Sequence, residues 1–202
     1  MKPTLVLLAA GLSRRLGESK ALVDLAGATP LRRLWRAARA SCDAEALVVV
    51  ATETVGPRLA ANLPPGARVV LNPDPARGRT GSVQLAAHAA NGRDLLLAPV
   101  DVPLVPACVF AALLRAWDEA GEPARGWLAP RTNDGRHGHP VLLGRGLAED
   151  LSSCAPDEPL WRLRARATPM WSALVDSPRI HDDLDSPRDL EELRAIALNL
   201  DE

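Results

Sequence analysis

The 202-residue sequence contains no tyrosine and one phenylalanine, and aromatic residues make up 3% of the chain. The core must therefore be built from aliphatic side chains, mostly leucine, valine and alanine. No apolar run approaches the roughly 20 residues that a membrane-spanning helix needs. The first residues also lack the charged, apolar and small regions of a signal peptide. These absences predict a cytoplasmic protein with no membrane partner.

Two further absences, of net charge and of paired cysteines, exclude other partners and cofactors. Lys and Arg number 24 and Asp and Glu number 25, so the formal net charge is -1. A nucleic-acid-binding surface needs an excess of positive charge, and nucleic acid is not an expected partner. Cys42, Cys108 and Cys154 lack zinc spacing and are odd in number. We expect them to be buried thiols in a reducing compartment.

Short apolar runs alternate with amphipathic stretches along the chain, which is typical of a parallel sheet with crossover helices. The apolar runs predict strands over residues 4–9, 46–51, 68–71, 95–100 and 126–129. The amphipathic stretches predict helices after Thr29, over 83–90, over 109–117 and after Ser186. We predict one α/β domain over residues 1–202, a three-layer sandwich around a mostly parallel, Rossmann-like sheet. Ligands of such sheets bind at the carboxyl ends of the strands.

The first predicted strand leads into a loop whose composition suits a nucleoside triphosphate. Residues 11–20 include two glycines, Ser13, Arg15 and Lys20. Glycine lets the backbone approach a ligand closely, backbone N–H groups bind oxyanions, and fixed cations bind phosphates. The loop has neither the spacing of a Walker loop nor the Gly-x-Gly-x-x-Gly of dinucleotide-binding folds. It therefore predicts a triphosphate site of another kind.

Residues 8–20 resemble the LAAGxSxRxGxxK signature of the MobA-like nucleotidyltransferases and match it at every fixed position. The resemblance implies a sheet of the nucleotide-diphospho-sugar transferase (GT-A) type. It also implies transfer of a nucleotidyl group from a triphosphate to a phosphorylated acceptor, with Arg15 and Lys20 as catalytic cations on the triphosphate. The nucleotide-binding residues that this match implies are Leu8, Ala9, Ala10, Gly11, Ser13, Arg15 and Lys20.

Two acidic segments supply candidate metal ligands. Asp101 follows the most apolar predicted strand, where it suits either Mg²⁺ or the cap of the next helix. The MobA-like family has a magnesium-binding aspartate in a matching Asp-x-Pro, and its closing DxDTPxD is similar to residues 183–189. The resemblance implies that Asp101, also a catalytic residue, and Asp183 bind Mg²⁺. Asp182 is the alternative to Asp183, and Asp185 is expected to brace the turn.

Residues 72–82 follow a predicted strand and begin a helix, so their N–H groups suit an anion or a base edge. A capped helix start explains each single residue equally well. Asn72 and Ser82 match the family pattern, which implies nucleotide contact. Relatives often have G-Met-x-x-Ser here, and Arg79 stands in place of the methionine, which leaves its own contacts open.

Residues 134–143 resemble the GxxGHPxLF of the cytidylyl-transferring branch of the family, with leucine in place of phenylalanine. The match implies that Gly138, His139 and Pro140 contact the acceptor. His137 and His139 alternate as on a strand, but two histidines without a third ligand do not predict zinc. Guanylyl-transferring relatives usually have LAGG where this chain has LAAG, so the resemblance favours CTP over GTP, with a molybdopterin-type cofactor as acceptor.

Two alternatives stay open. One is the same chemistry with GTP or with another phosphorylated acceptor. The other is a non-catalytic nucleotide- or cofactor-binding maturation protein, because a fold does not by itself determine an activity. The resemblance also suggests transient contact with a molybdenum enzyme or its maturation chaperone.

Overall fold

The computed structural model describes residues 2–41, 47–61, 63–64 and 66–201, without the side chains of Leu47 and Asp201. The strands are β1 (Thr4–Ala9), β2 (Leu47–Thr52), β3 (Arg68–Asn72), β4 (Leu95–Pro99), β5 (Trp127–Arg131), β6 (Val141–Leu143) and β7 (Met170–Leu174). The helices are α1 (Pro30–Ser41), α2 (Gly56–Ala60), α3 (Arg79–Ala90), α4 (Ala107–Glu119), α5 (Arg145–Asp150) and α6 (Pro187–Asp201). Short 3₁₀ helices are Pro75–Arg77, Leu151–Ser153, Leu160–Arg166 and Pro178–His181.

The strands form one sheet in the order β3-β2-β1-β4-β6-β5-β7. All neighbouring strands are parallel except β6, which runs antiparallel to both β4 and β5. The predicted mostly parallel α/β sheet is therefore confirmed. The sequence did not predict β6, which has three residues, or β7, whose side chains are half-buried or exposed. The predicted start of β2 at Ala46 lies outside the described residues.

Local capping patterns correctly predicted the starts of α1 and α6. Thr29 caps α1, because its Oγ1 accepts a hydrogen bond of 3.3 Å from the amide of Arg32. Ser186 and Asp189 form the reciprocal cap of α6: the Asp189 carboxylate accepts from the Ser186 amide at 2.7 Å, and the Ser186 hydroxyl accepts from the Asp189 amide at 3.3 Å. Helix α3 begins at Arg79, ahead of the predicted start at residue 83.

Alternate residues of β1 pack against helices on opposite faces of the sheet. Leu5 and Leu7 belong to the cluster that contains buried residues of α1 and α4, whereas Val6 and Leu8 belong to the cluster of α3 and α5. This alternation follows from the two-residue period of a strand. The predicted three-layer arrangement is confirmed.

A third apolar cluster fixes the loop after β1. Leu16 and Leu25 of that segment pack with Leu190 and Leu193 of α6 and with Leu104 beyond β4. The side chain of Arg194 adds a hydrogen bond of 2.9 Å to the carbonyl oxygen of Asp24. The last helix therefore holds both loops in place at the carboxyl ends of β1 and β4.

The cysteine prediction was wrong at two positions. Cys108 is exposed in the first turn of α4 and Cys154 is half-buried. A small thiol at the start of a helix faces outward when the turn's apolar side is filled by other residues, here Val109 and Phe110. Cys42 lies outside the described residues. In the described part of the chain, no helix is both long and apolar enough to span a bilayer.

Candidate active site

A pocket of about 470 Å³, the first pocket, opens at the carboxyl ends of β1 and β4. From β1 the chain passes to β2 and β3 on one side, and α3 returns it to β4 on the other side. The first pocket thus lies where the direction of strand order reverses, as ligand sites of such sheets do. The predicted nucleotide-binding residues that line it are Leu8, Ala9, Ala10, Gly11, Ser13, Lys20 and Ser82, together with Asp101. Arg15 and Asn72 do not line it.

The loop after β1 is braced by Ser13. This residue has a φ of 47°, in the left-handed region, and its carbonyl oxygen accepts hydrogen bonds from the amides of Leu16 and Gly17 at 3.1 and 3.2 Å. The Ser13 hydroxyl accepts a hydrogen bond of 3.0 Å from the amide of Lys20. The predicted ligand residue Ser13 therefore also sets the position of Lys20.

Both predicted cations are bound to one carboxylate. The Lys20 ammonium contacts Asp185 Oδ1, and Arg15 Nη2 lies 2.9 Å from Asp185 Oδ2. The Lys20 side chain is 13% exposed and that of Arg15 is 74% exposed, so Lys20 is the more desolvated cation. The hydrogen bond from Lys20 lowers the pKa of Asp185 below its usual value. Asp185 was expected to brace its own turn. In addition, its side chain joins the segment before α6 to the loop after β1.

Arg79 contacts two of the predicted site residues. Its Nη2 lies 3.2 Å from Asp101 Oδ2, and its Nη1 lies 3.4 Å from His139 Nε2. The other oxygen of Asp101, Oδ1, is buried and has no hydrogen-bond partner among the described residues. Such an orphaned carboxylate oxygen suits a cation that is bound together with substrate.

Asp182 and Asp183 have different surroundings. Asp182 Oδ2 lies 2.7 Å from Arg179 Nη1, within its own turn. Asp183 lies near Asp101 and Asp185: burial and these two negative charges raise the pKa of its carboxyl. Burial raises the pKa of the Asp182 carboxyl as well. The two differ in the charges that face them: Arg179 faces Asp182, whereas two carboxylates face Asp183. A divalent cation would relieve the repulsion at Asp183, so the donor set fits a metal better there than at Asp182.

Two carboxylates are few for a metal held by protein alone. Among the described residues, no group of three or more histidine, cysteine, aspartate or glutamate side chains could hold a metal ion. Mg²⁺ binds through one or two carboxylates when phosphate oxygens and water complete its shell. The pair Asp101 and Asp183 fits that pattern.

Asn72 acts on the first pocket through Ser82. The buried Asn72 amide donates a hydrogen bond of 2.9 Å to Ser82 Oγ, and its oxygen accepts one of 3.0 Å from the amide of Asp74. At the start of α3 the Gly81 amide donates to the carbonyl oxygen of Pro156 at 3.1 Å, so this N–H group already has a partner. The segment was predicted to offer its N–H groups to an anion, and Gly81 does not.

A second pocket, of about 690 Å³, adjoins the first and shares Leu8, Arg79 and Pro99 with it. It contains His137, Gly138 and His139 of the predicted acceptor segment, but Pro140 does not line it. The remaining wall includes aromatic and cationic side chains of the segment that precedes β7 and of β5: Trp127, Trp161 and Arg164.

Sequence reasoning missed Trp161 and Arg164. Trp161 is 61% exposed, and the Arg164 guanidinium carbon lies 5.2 Å from the centre of the Trp127 ring. Their 3₁₀ helix, Leu160–Arg166, carries no recognisable motif. The signal available in the sequence was a tryptophan among arginines, a composition that suits a stacked anionic ligand.

Gly138 and His139 are fixed by the segment around Ile180. The Gly138 amide donates to the carbonyl oxygen of Pro130 at 3.0 Å and the His139 amide to that of Ile180 at 3.2 Å. A Cβ at Gly138 would come within 2.8 Å of Ile180 Cβ, so a larger residue does not fit. The close approach that glycine permits here is to Ile180. Burial and the charge of Arg79 lower the pKa of His139 to about 4, so its ring is neutral near pH 7.

Comparison with known proteins agrees with this geometry. Residues 5–171 match the family model described as MobA-like NTP transferase domain. The chain belongs to this family. It is accordingly a nucleotidyltransferase, and the prediction of an enzyme of this class is confirmed. No curated protein matches the MobA-like chain.

Solved structures with the same fold include two mycobacterial proteins. Rv0371c from Mycobacterium tuberculosis H37Rv is 25% identical to the MobA-like chain, with a TM-score of 0.78 over 96% of this chain and 98% of that one. A homologue from mycobacterium sp. strain JC1 is 28% identical, with a TM-score of 0.78 over 98% and 97%. Rv0371c has also been solved in complex with manganese; that structure is 24% identical, with a TM-score of 0.75 over 96% and 99%.

A third neighbour is the molybdopterin-guanine dinucleotide biosynthesis protein A from Archaeoglobus fulgidus. It is 17% identical, with a TM-score of 0.73 over 97% of the MobA-like chain and 99% of its own. At this identity the similarity shows the fold. The predicted nucleotidyltransferase sheet is therefore confirmed by structures as well as by the family model.

Proposed function

We propose that this nucleotidyltransferase transfers CMP from CTP to the phosphate of a molybdopterin-type cofactor and releases pyrophosphate, with Mg²⁺ as the metal. The observation that carries the proposal is the pair of adjoining pockets. A cation-containing first pocket and an aromatic second pocket meet at Arg79, and two carboxylates, Asp101 and Asp183, line one pocket each. Transfer between two bound molecules requires such a shared boundary.

In this proposal the first pocket holds the triphosphate. Lys20 lines this pocket, and Arg15, which does not, shares the Asp185 carboxylate with it; both would exchange that carboxylate for phosphate oxygens. Glycine at position 11 leaves open space beside the backbone, because a Cβ there would have no neighbour within 4 Å. Ser82, held by Asn72, lines the far wall. Fixed cations and pre-positioned groups lower the barrier for phosphoryl and nucleotidyl chemistry.

Asp101 and Asp183 are the residues that we propose to hold Mg²⁺. Their fit rests on the unpartnered Asp101 Oδ1 and on the negative charges of Asp101 and Asp185 near Asp183. When bound, the ion neutralises phosphate charge and polarises the phosphorus centre. The backbone hydrogen bond of 2.7 Å from Leu184 to the Asp101 carbonyl oxygen keeps the two aspartates side by side.

The second pocket supports an acceptor with a planar ring and a phosphate. Trp161 offers an exposed aromatic face, and Arg164 lies against Trp127 with its cation available to an anion. His139 is neutral, so it adds no charge to the wall. A ring stacked on Trp161 with its phosphate directed toward Arg79 would bring the attacking oxygen to the boundary of the two pockets.

The choice of CTP rests on the resemblance of the Leu8–Gly11 and Gly138–Pro140 segments to the cytidylyl-transferring branch.

The test of the proposed function is pyrophosphate release from CTP, GTP and ATP in the presence of Mg²⁺, each with and without molybdenum-loaded molybdopterin. Release with CTP that depends on the cofactor is the expected result. Release with GTP would keep the chemistry and overturn the base assignment. Tight nucleotide binding without release from any pair would favour another acceptor or a binding protein.

A further inference from the structure

Arg79 is placed where the two pockets meet. It is the first residue of α3, and the pockets share Leu8, Arg79 and Pro99. Leu8 and Pro99 are apolar, so Arg79 is the single charged residue of this boundary among those that the structure describes. If the first pocket holds the triphosphate and the second the acceptor, the α-phosphorus lies at this boundary during transfer.

The reaction places charge at the boundary. A phosphate oxygen of the acceptor forms a bond to the α-phosphorus, and the bond from that phosphorus to the bridging oxygen breaks. Its electron pair leaves with pyrophosphate, and no proton has to move. A guanidinium can donate two parallel hydrogen bonds to phosphate oxygens, and a donor aimed at developing charge is worth more than one that binds ground-state charge alone.

In the absence of a ligand, Arg79 contacts Asp101 and His139, and both contacts are weak. The ion pair with Asp101 is partly exposed, 44% for the arginine side chain and 26% for the aspartate, so it contributes little to the stability of the fold. The second guanidinium nitrogen lies 3.4 Å from His139 Nε2. The α-phosphate carries one negative charge, as a carboxylate does, and further charge develops there when the acceptor oxygen attacks. Because the ion pair with Asp101 is weak, a bound nucleotide can take Arg79 from Asp101 at small cost.

We propose that Arg79 is a further catalytic residue that alternates between Asp101 and the α-phosphate. With no nucleotide bound, its guanidinium occupies one oxygen of Asp101 and competes with a divalent metal there. With nucleotide bound, it contacts the transferred phosphate and frees Asp101. This inference rests on the proposed roles of the two pockets. It gives Arg79 opposite effects on two measurable quantities: it weakens metal binding to the free protein and accelerates transfer.

The experiment compares wild type with Arg79→Met, Arg79→Lys and Arg77→Met. Arg77 is the control because it lies in the same segment, pairs with Asp74 at 3.8 Å and does not line either pocket. Mn²⁺ binding to the nucleotide-free protein is measured by calorimetry, and pyrophosphate release is measured in single turnovers at saturating substrates. Thermal unfolding checks that each variant is folded.

We expect Arg79→Met to bind Mn²⁺ about fivefold more tightly, which corresponds to the worth of a partly exposed ion pair. Transfer by the same variant should slow by about 10²–10³-fold, as for loss of one charge-stabilising donor. Arg79→Lys should be intermediate in rate because it lacks the two-pronged geometry. Arg77→Met should match wild type in both measurements.

Wild-type rates in Arg79→Met would overturn the catalytic role. Unchanged or weaker Mn²⁺ binding in that variant would overturn the competition for Asp101. These results are distinguishable from a failure of the proposed function. If wild type releases pyrophosphate with GTP instead of CTP, the same rates are measured with GTP; if it releases none with any pair, the proposed function fails, and Mn²⁺ binding alone decides whether Arg79 competes for Asp101.

Discussion

The amide of Leu184 donates a hydrogen bond of 2.7 Å to the carbonyl oxygen of Asp101. This bond joins the loop after β4 to the segment that precedes α6, and it is made by backbone groups, so it does not depend on the identity of either side chain. Because Asp183 precedes Leu184, the two carboxylates of the proposed metal site are held together without a contact between them. The two segments of the site are thus joined through backbone, and Asp101 Oδ1 keeps no hydrogen-bond partner among the described residues.

Replacing Lys20 should abolish most of the activity and leave the fold intact. Lys20→Ala removes the most buried cation of the site, and we expect pyrophosphate release to slow by about 10²–10³-fold. Arg15 still contacts Asp185, so the loop keeps one tie to the last segment. Arg188→Ala is the control, since Arg188 pairs with Glu192 on the exposed surface of α6. Near wild-type turnover in Lys20→Ala would show that the assignment is wrong.

Two neighbouring aspartates give a paired test of the metal site. Asp183→Asn should lower metal-dependent turnover by about 10²-fold or more and weaken Mn²⁺ binding, because it removes a ligand charge. Asp182→Asn should stay within a few-fold of wild type, because that carboxylate is engaged by Arg179. Turnover rates and Mn²⁺ titrations of both variants show which aspartate binds the metal. The reverse order of the two effects would transfer the ligand role to Asp182.

Trp161 should affect the acceptor and not the nucleotide. We expect Trp161→Ala to raise the KM for the acceptor about tenfold, the range of one stacking contact, with CTP affinity unchanged. Trp161→Phe should recover much of the loss, because it restores an aromatic face. Steady-state kinetics in which each substrate is varied separately give both values. A change in CTP affinity without a change in the KM for the acceptor would show that Trp161 does not bind the acceptor.

Alanine at Gly138 should lower the stability of the protein, whereas alanine at Gly11 should weaken nucleotide binding only. Gly138→Ala forces a Cβ against Ile180 and should destabilise the protein by about 1–3 kcal/mol. Gly11→Ala meets no atom within 4 Å and should keep the melting temperature of wild type. It should nevertheless weaken CTP binding, because the added methyl group occupies space that we assign to the triphosphate. Thermal unfolding and nucleotide titration separate the two effects, and equal melting temperatures would contradict the first.

Stability should depend on pH through His139. Its pKa is lowered to about 4 in the folded protein from an ordinary value of 6.5, so the unfolded chain takes up a proton at a higher pH than the folded one does. The stabilisation that the neutral His139 ring gives the folded protein is therefore complete above pH 6.5. It is lost as the pH falls toward 4, by up to about 3 kcal/mol of the free energy of unfolding. The free energy of unfolding of wild type and His139→Gln is compared between pH 7.5 and 4.5.

The glutamine variant should lose less stability over that range than wild type does. His88→Gln, at an exposed position of α3, is the control for the replacement of a histidine by glutamine. Equal slopes for His139→Gln and wild type would show that His139 does not titrate with folding.

Local patterns in the sequence determined the architecture. The two-residue period of the apolar strands and the caps at Thr29 and Ser186 depend on neighbouring residues, so they can be read without a structure. The same holds for the loop of residues 11–20, because its glycines and cations are contiguous. Short or exposed strands, β6 and β7, carry too weak a pattern and gain their hydrogen bonds only from the rest of the sheet.

Tertiary structure alone decided how the site residues are paired. The contacts of Arg79 with Asp101 and His139 join three separate segments, and the contact of Lys20 with Asp185 joins two more. The difference between Asp182 and Asp183 and the place of Trp161 in the second pocket likewise depend on where distant segments meet. A sequence pattern reports what a residue is and what stands beside it. Which charges come to face one another depends on how the strand ends are brought together.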